Sequence, residues 1–351
     1  MFRNSKKFGS GRKTASRLVQ IQKIVFFVVI GSMTTAAAVA ATITTFDPPA
    51  AVDTQPFGIS NGVVTGDYTD GNSVVHAFIR ANDGSFTTVD PTGSLYTTAF
   101  GINATGAIVG TYRDNNNVYH GFVRSPDGTI TTIDPAGSAY AIATSINSNG
   151  DIAGYFRDGS HHFHEFVRSV DGTIIPFDAP GSAYTGPSYI NDVGAVTGFY
   201  EDSSAIGHGY VRAPDGTVTS FDPSGSAYTT AYNINKGGAI TGDYLDSGGA
   251  YHAFIRAADG TITTYDAPKA VGSSVGVAIA NSGMATGFYK DKRGRHHGFV
   301  RKVSGNIKRF DPLGSFDTFV WSIDNSLGYR GAVVGTYVDS DGFHHGFMRT
   351  P

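Results

Sequence analysis

Seven near-copies of one pentapeptide, an almost constant step between them, and four short strand-like runs in each unit predict an all-β chain folded as a seven-bladed β-propeller of four-stranded blades. The clearest copy is His120-Gly121-Phe122-Val123-Arg124, and the copies begin at His76, His120, His164, His208, His252, His297 and His345. Four successive steps are 44 residues and the last two are 45 and 48. A β-solenoid also repeats, but its coils are shorter and its ends need caps.

Residues 1–40 read as a secretory signal peptide. Arg3, Lys6, Lys7, Arg12, Lys13, Arg17 and Lys23 lead into an apolar run from Ile24 to Ile30, and Ala38-Val39-Ala40-Ala41 supplies the small residues of a cleavage site. The run is too short for a membrane span. The expected division is therefore a signal at 1–40 and a propeller domain at 41–351, secreted to the periplasm or the cell exterior. Without that signal, 19 of the 26 basic residues face all 29 acids, a net charge of −10. Such a balance gives no general attraction for nucleic acid or anionic lipid, so neither a nucleic-acid partner nor a membrane partner after cleavage is expected, although a local basic patch stays open. With no cysteine in the chain, disulfides and thiolate metal sites are excluded.

Within the second unit, Thr98 to Asn103 alternates as a first strand, a, and Ala104-Thr105-Gly106 turns the chain. Ala107 to Tyr112 is strand b, Asp114 to Asn117 a polar turn, and Tyr119 to Arg124 strand c. Pro126-Asp127-Gly128 predicts a type I′ hairpin turn into strand d, Thr129 to Ile133. The seventh unit stops after strand c at Pro351, and its missing strand d is matched at the other end: Thr42-Ile43-Thr44-Thr45-Phe46-Asp47-Pro48 repeats the pattern of Thr129 to Pro135. The ring is expected to close by pairing the two ends, which removes an open sheet edge.

Repetition assigns most motif residues to structure. With c paired to d, each histidine falls beside an aspartate: His76 with Asp90, His120 with Asp134, His164 with Asp178, His208 with Asp222, His252 with Asp266, His297 with Asp311 and His345 with Asp47. Spread over seven blades, these histidines are expected to make structural hydrogen bonds and hold no shared metal. Gly66, Gly110, Gly154, Gly198, Gly242, Gly287 and Gly335 sit inside strand b, and an aromatic residue follows each two positions later, a pattern predicting ring-against-glycine packing between blades. The arginine closing each copy, as at Arg124, is expected to be structural as well.

The forms His76-Ala77-Phe78 and His252-Ala253-Phe254 resemble the HAF family of probable extracellular repeat proteins, over essentially all of residues 41–351. The resemblance implies export and repeats, and no catalytic residues to carry over. A C-terminal sorting tail of the kind many members carry is not part of this sequence.

Departures from the repeat are the candidate site. In a propeller the b-to-c turns and d-to-a loops share one face, and the copies differ most there; binding usually resides on such loops. His161, His162 and Glu165 in the third blade and Glu201 and Asp202 in the fourth interrupt that face with ionisable groups. The sixth blade adds Lys292, Arg293 and Arg295, a cluster suited to an anionic polymer. Trp321, the one tryptophan, lies on strand a and is expected in the core. No nucleophile elbow, zinc motif, phosphate loop or nucleotide fingerprint occurs, so no cofactor, metal or catalytic residue is expected. The reading is a secreted monomer that binds an extracellular glycan, peptide or protein without catalysis; the alternative is an exported polysaccharide hydrolase or lyase with its site at the channel mouth.

Overall fold

In the computed structural model, which describes residues 41–186, 189–326 and 328–351, seven antiparallel sheets follow one another in chain order. Each has strands a to d as successive neighbours, so the molecule is a seven-bladed propeller, and the described residues contain no helix. The signal-peptide segment lies outside the described residues. In the second blade the strands are Tyr96–Ile102, Ile108–Arg113, Tyr119–Arg124 and Ile130–Ile133, strand a starting two residues before the sequence indicated.

The turns correct one expectation. Ser125 N–H donates to Thr129 O at 2.8 Å and Gly128 N–H to Ser125 O at 2.9 Å, with a positive φ at Gly128 alone (95°). That is a type I turn closed by a left-handed glycine, because Pro126 takes the first corner at its own fixed negative φ. The type I′ turn occurs elsewhere, at Asn61 (φ 51°) and Gly62 (φ 74°), between Ser60 and Val63. Each b-to-c turn folds around its aspartate: Asp114 Oδ1 accepts from Asn116 N–H and Val118 N–H, both at 2.9 Å.

Apolar burial lies between blades. Phe78, Phe122, Phe166, Phe254, Phe299 and Phe347, the strand c rings, have no exposed surface. Burying each contributes about 1.5–3 kcal/mol. The strand b glycines admit them, but within one blade: a Cβ on Gly110 would strike the Thr98 carbonyl oxygen of strand a and lie 2.8 Å from the Phe122 ring. The aromatic residue two positions on does something else. Tyr112 stacks on His120 of its own blade, centroids 5.1 Å apart, and its hydroxyl lies 3.0 Å from Thr132 Oγ1. Blades are clamped partly by five of the seven repeated arginines, whose guanidinium groups cover the strand d ring of the preceding blade, as Arg80 over Phe46 at 4.9 Å, Arg212 over Phe177 at 4.8 Å and Arg256 over Phe221 at 4.9 Å.

Closure follows the sequence. Thr42–Phe46 pairs antiparallel with His344–Thr350 as the fourth strand of the last blade, and His345 Nδ1 lies 2.8 Å from Asp47 Oδ2. Removing residues through Asp47 therefore exposes a sheet edge, uncovers Phe347 and leaves His345 without its acceptor. A chain that starts at Pro48 is expected to melt sharply lower than one that starts at Ala41; equal melting temperatures in circular dichroism would contradict closure by this strand.

Candidate functional site

In six of the blades strand a carries a β-bulge just past the residue opposite the strand b glycine, where the register skips one residue, and in the fourth the pairs Thr185 with Tyr200 and Tyr189 with Thr197 leave the same one-residue offset. The skipped residues are Phe57, Phe100, Thr144, Tyr232, Val277 and Trp321, and all of them line one axial cavity of about 650 Å³. A bulge leaves its residue unpaired and re-aims the side chain. Where the bulged residue is small, the residue after the strand b glycine is large and reaches the cavity instead: Thr144 goes with Tyr155, Val277 with Phe288. Where the bulged residue is a ring, that strand b position is short: Phe57 with Asp67, Phe100 with Thr111, Tyr232 with Asp243, Trp321 with Thr336. Phe199 fills the role in the fourth blade, which adds Tyr189 from strand a, so every blade sends at least one ring into the channel.

The collar has two unlike arcs. Phe288, Trp321, Phe57 and Phe100 touch in sequence around the ring, with centroid separations of 6.1, 6.2 and 5.7 Å. Across the channel, Tyr155, Tyr189 and Tyr232 bring phenols among which Phe199 is the one hydrocarbon ring. At the a-to-b mouth the walls become amides. Asn103 Nδ2 donates to Asn147 O (3.1 Å), Asn147 Nδ2 to Asn191 O (3.0 Å), Asn191 Nδ2 to Asn235 O (3.0 Å) and Asn235 Nδ2 to Ala280 O (3.0 Å), each bond joining a blade to the next. The two acids at this mouth hold turns: Asp324 Oδ2 accepts from Gly62 N–H at 2.8 Å and Asp192 Oδ1 from Ser148 N–H at 3.0 Å. Lys236 stands at the rim.

Behind the collar lie two buried carboxyl groups. Asp67 is 8% exposed and Asp243 3%, and burial pushes both up to about pKa 7 against the partial relief of Thr98 on Asp67 and Tyr232 on Asp243. Thr98 Oγ1 donates to Asp67 Oδ2 at 2.8 Å. Burial, then Asp243, raises the Tyr232 phenol well above its ordinary value.

The sequence-predicted residues do not come together: most stand on turns of the opposite face, and one is inside a blade. His162 is exposed on its turn, 3.9 Å from Asp158, and His161 occupies the left-handed corner (φ 69°) of the same turn. Glu165 is not on that turn: it lies within strand c, fully buried, and accepts from Thr185 Oγ1 of the next blade at 2.7 Å. Glu201 accepts from the Tyr228 hydroxyl at 2.7 Å, and Asp202 caps its turn through Ser204 N–H and Ile206 N–H. Among the described residues no cluster of metal-ligating side chains occurs. Lys292 and Arg293 are exposed on the sixth blade with Arg295 half-buried beside them. Trp321 departs from its expected place in the core: it is a wall of the cavity, its indole N–H donating to Thr336 Oγ1 at 3.1 Å.

The histidine pairs sit as the spacing indicates, Nδ1 facing the strand d aspartate in all seven blades at 2.7–3.1 Å. Nε2 faces the turn aspartate, as in His252 to Asp246 at 3.3 Å. Burial opposes the charged imidazolium of His208, His252 and His345, but the two carboxylates outweigh it and raise these pKa values.

No family model and no curated protein matches the chain. Solved structures with a similar fold include a streptogramin B lyase, with a TM-score of 0.60 and 16% identity over 89% of this chain and 98% of that one. The β-propeller domain of the Trilobed protease from Pyrococcus furiosus, described as having an open velcro topology, gives 0.61 at 12% identity over 85% and 95%. The BP39L lectin from Burkholderia pseudomallei gives 0.54 at 14% over 86% and 96%. At these identities the likeness is one of fold.

Stability is expected to fall as pH rises from about 5 to 8. Asp67 and Asp243 stay protonated in the folded chain to about 7 while the unfolded chain ionises them near ~4, so stability declines over that interval. The raised histidines add stability that is complete below about 6.5 and is lost as pH passes through their folded values. Turn aspartates such as Asp114, held low first by the Val118 amide, set the acid limit. Thermal unfolding across this range checks the sign, and Asp67→Asn with Asp243→Asn is expected to flatten the profile between about 5 and 7. An unaltered slope in that double variant would count against the assignment.

Proposed function

We propose that the chain is an exported, non-catalytic binding protein that takes a glycan in its axial cavity. One observation carries this reading: the collar pairs a continuous apolar arc, Phe288-Trp321-Phe57-Phe100, with an opposing arc of phenols and a mouth of carboxamides. A sugar ring has the matching halves, C–H faces that lie on aromatic rings and hydroxyls that exchange hydrogen bonds with phenols, while the carboxamides, bonded from blade to blade, fix the shape of the mouth. The lectin of similar fold supports the reading by analogy. The basic, apolar, small-residue order of residues 1–40 and the likeness of the His-Ala-Phe units to extracellular repeat proteins support export. A hydrolase or lyase at the channel mouth fits less well, because both oxygens of Asp324 already accept backbone amide hydrogens, which leaves Asp192, engaged through Oδ1 alone, without the second available carboxyl that glycoside hydrolysis commonly uses.

A glycan array probed with residues 41–351 finds the ligand, and titration of that glycan tests the site. Trp321→Ala is expected to weaken binding about 30-fold, as loss of a central aromatic anchor costs about 2 kcal/mol. Tyr232→Phe keeps the ring and is expected to cost only a few-fold. Unchanged affinity in Trp321→Ala, with an unchanged melting temperature, would remove the collar from the site.

A further inference from the structure

The face opposite the amide mouth carries a patch that the axial cavity does not use. Its cations are Lys269, Lys290, Lys292, Arg293 and Arg295, all on the d-to-a loop or b-to-c turn of the sixth blade. Large apolar side chains stand exposed among them: Val271 at 56%, Leu313 at 100%, Phe316 at 46% and Phe343 at 52%. Main-chain and ring contacts place Val271, Phe316 and the turn of Phe343 side by side, with Leu313 three residues before Phe316 on the same loop. Val271 N–H donates to Lys290 O at 2.8 Å, the Arg295 guanidinium covers the Phe316 ring at 4.4 Å, and Phe316 N–H donates to Val338 O at 2.7 Å, beside the turn that bears Phe343. Asp291 lies within the cluster and keeps its negative charge: its Oδ1 accepts from the main-chain N–H of Arg293 (2.8 Å) and Arg295 (3.0 Å), and its Oδ2 lies 3.3 Å from His297. Asp339 and the exposed Asp341 stand on the turn that bears Phe343, so the positive charge is local to the sixth blade.

We propose that this face, from the loop before the sixth blade to the seventh, docks on an anionic lipid bilayer. Cations alone would suit any polyanion. A hydrated polyanion, however, leaves Leu313, Val271 and Phe343 in water, whereas a bilayer interface takes apolar side chains at acyl depth and basic ones at its charged headgroups. The net charge of −10 on residues 41–351 does not forbid the contact. At physiological salt a charge acts over about 8 Å, so the membrane senses the patch and not the far blades. Docked this way, the b-to-c face meets lipid and the amide mouth of the cavity faces outward.

Co-sedimentation of residues 41–351, which supply every strand of the ring, with vesicles tests the proposal independently of any glycan. Binding is expected to vesicles of mixed phosphatidylglycerol and phosphatidylcholine, to be absent from pure phosphatidylcholine and to weaken with added salt. Each basic side chain near such a surface contributes a factor of about five, so Lys292→Glu with Arg293→Glu is expected to lower partitioning at least about 25-fold. Leu313→Ser with Phe343→Ser, both exposed and so harmless to the fold, is expected to lower it about tenfold or more through lost apolar burial. No binding to the anionic vesicles overturns the proposal. So does full binding by the serine variant, or equal loss of lipid and dextran sulfate binding in the charge variant alone, either of which would mark the patch as a site for polyanions.

Discussion

The close approach of three strands at the strand b glycine is the contact on which the rest of the blade depends. At Gly110 the absent side chain lets the Phe122 ring of strand c and the Thr98 carbonyl of strand a both come within reach of one backbone atom. Strand a is drawn in at Thr98 and Ala99 and then loses register at Phe100. A bulge relieves that offset and turns its extra residue away from the ladder. The packing that fills the space between blades thus also delivers a ring to the channel, and the collar follows from the core.

Tiling seven blades also requires that each recognise its neighbours. Between the second and third blades Tyr119 meets Tyr140 at 5.2 Å, and between the third and fourth Phe163 meets Tyr184 at 5.2 Å. At the equivalent junctions around the last blade the aromatic pairs give way to histidine–aspartate contacts, His296 with Asp317 at 3.0 Å and His344 with Asp53 at 2.9 Å. Tyrosine opposite histidine or aspartate opposite an aromatic ring would leave a polar group poorly matched, so the junctions discriminate against wrong neighbours. The blade assembled from both chain ends is flanked by these two polar contacts. Mispairing there would cost the ring its closure.

Much of this was legible because repetition exposes it. The seven copies gave strand number, blade count and closure, and c-to-d pairing placed each histidine beside its aspartate. The collar was not legible, for a physical reason: its ring comes from strand a in some blades and strand b in others, so neither column of the repeat is uniformly aromatic. Only the sum is constant, as in Thr144 with Tyr155 against Tyr232 with Asp243. The amide chain does have a signal in the sequence, the Ile-Asn pair at 102–103, 146–147, 190–191 and 234–235, spaced by 44 residues. Glu165 misled because spacing cannot tell an outward strand position from an inward one when its partner, Thr185, lies on another blade.

A symmetric scaffold makes an asymmetric protein by varying positions that carry no packing duty. Gly110 and Phe122 cannot change in one blade without moving three strands, whereas the channel position accepts any residue whose partner compensates in size. The apolar arc therefore spans adjacent blades, the sixth through the second, while the phenols occupy the third to fifth. Loop tips have the same freedom, and the basic and apolar residues gathered before and on the sixth blade use it on the opposite face. Whatever enters the cavity from the amide mouth meets no cation beyond Lys236 at the rim among the lining residues described. The dense positive charge stands instead at the other end of the axis, so the two surfaces differ in chemistry and in direction, and a partner suited to one has no reason to compete for the other.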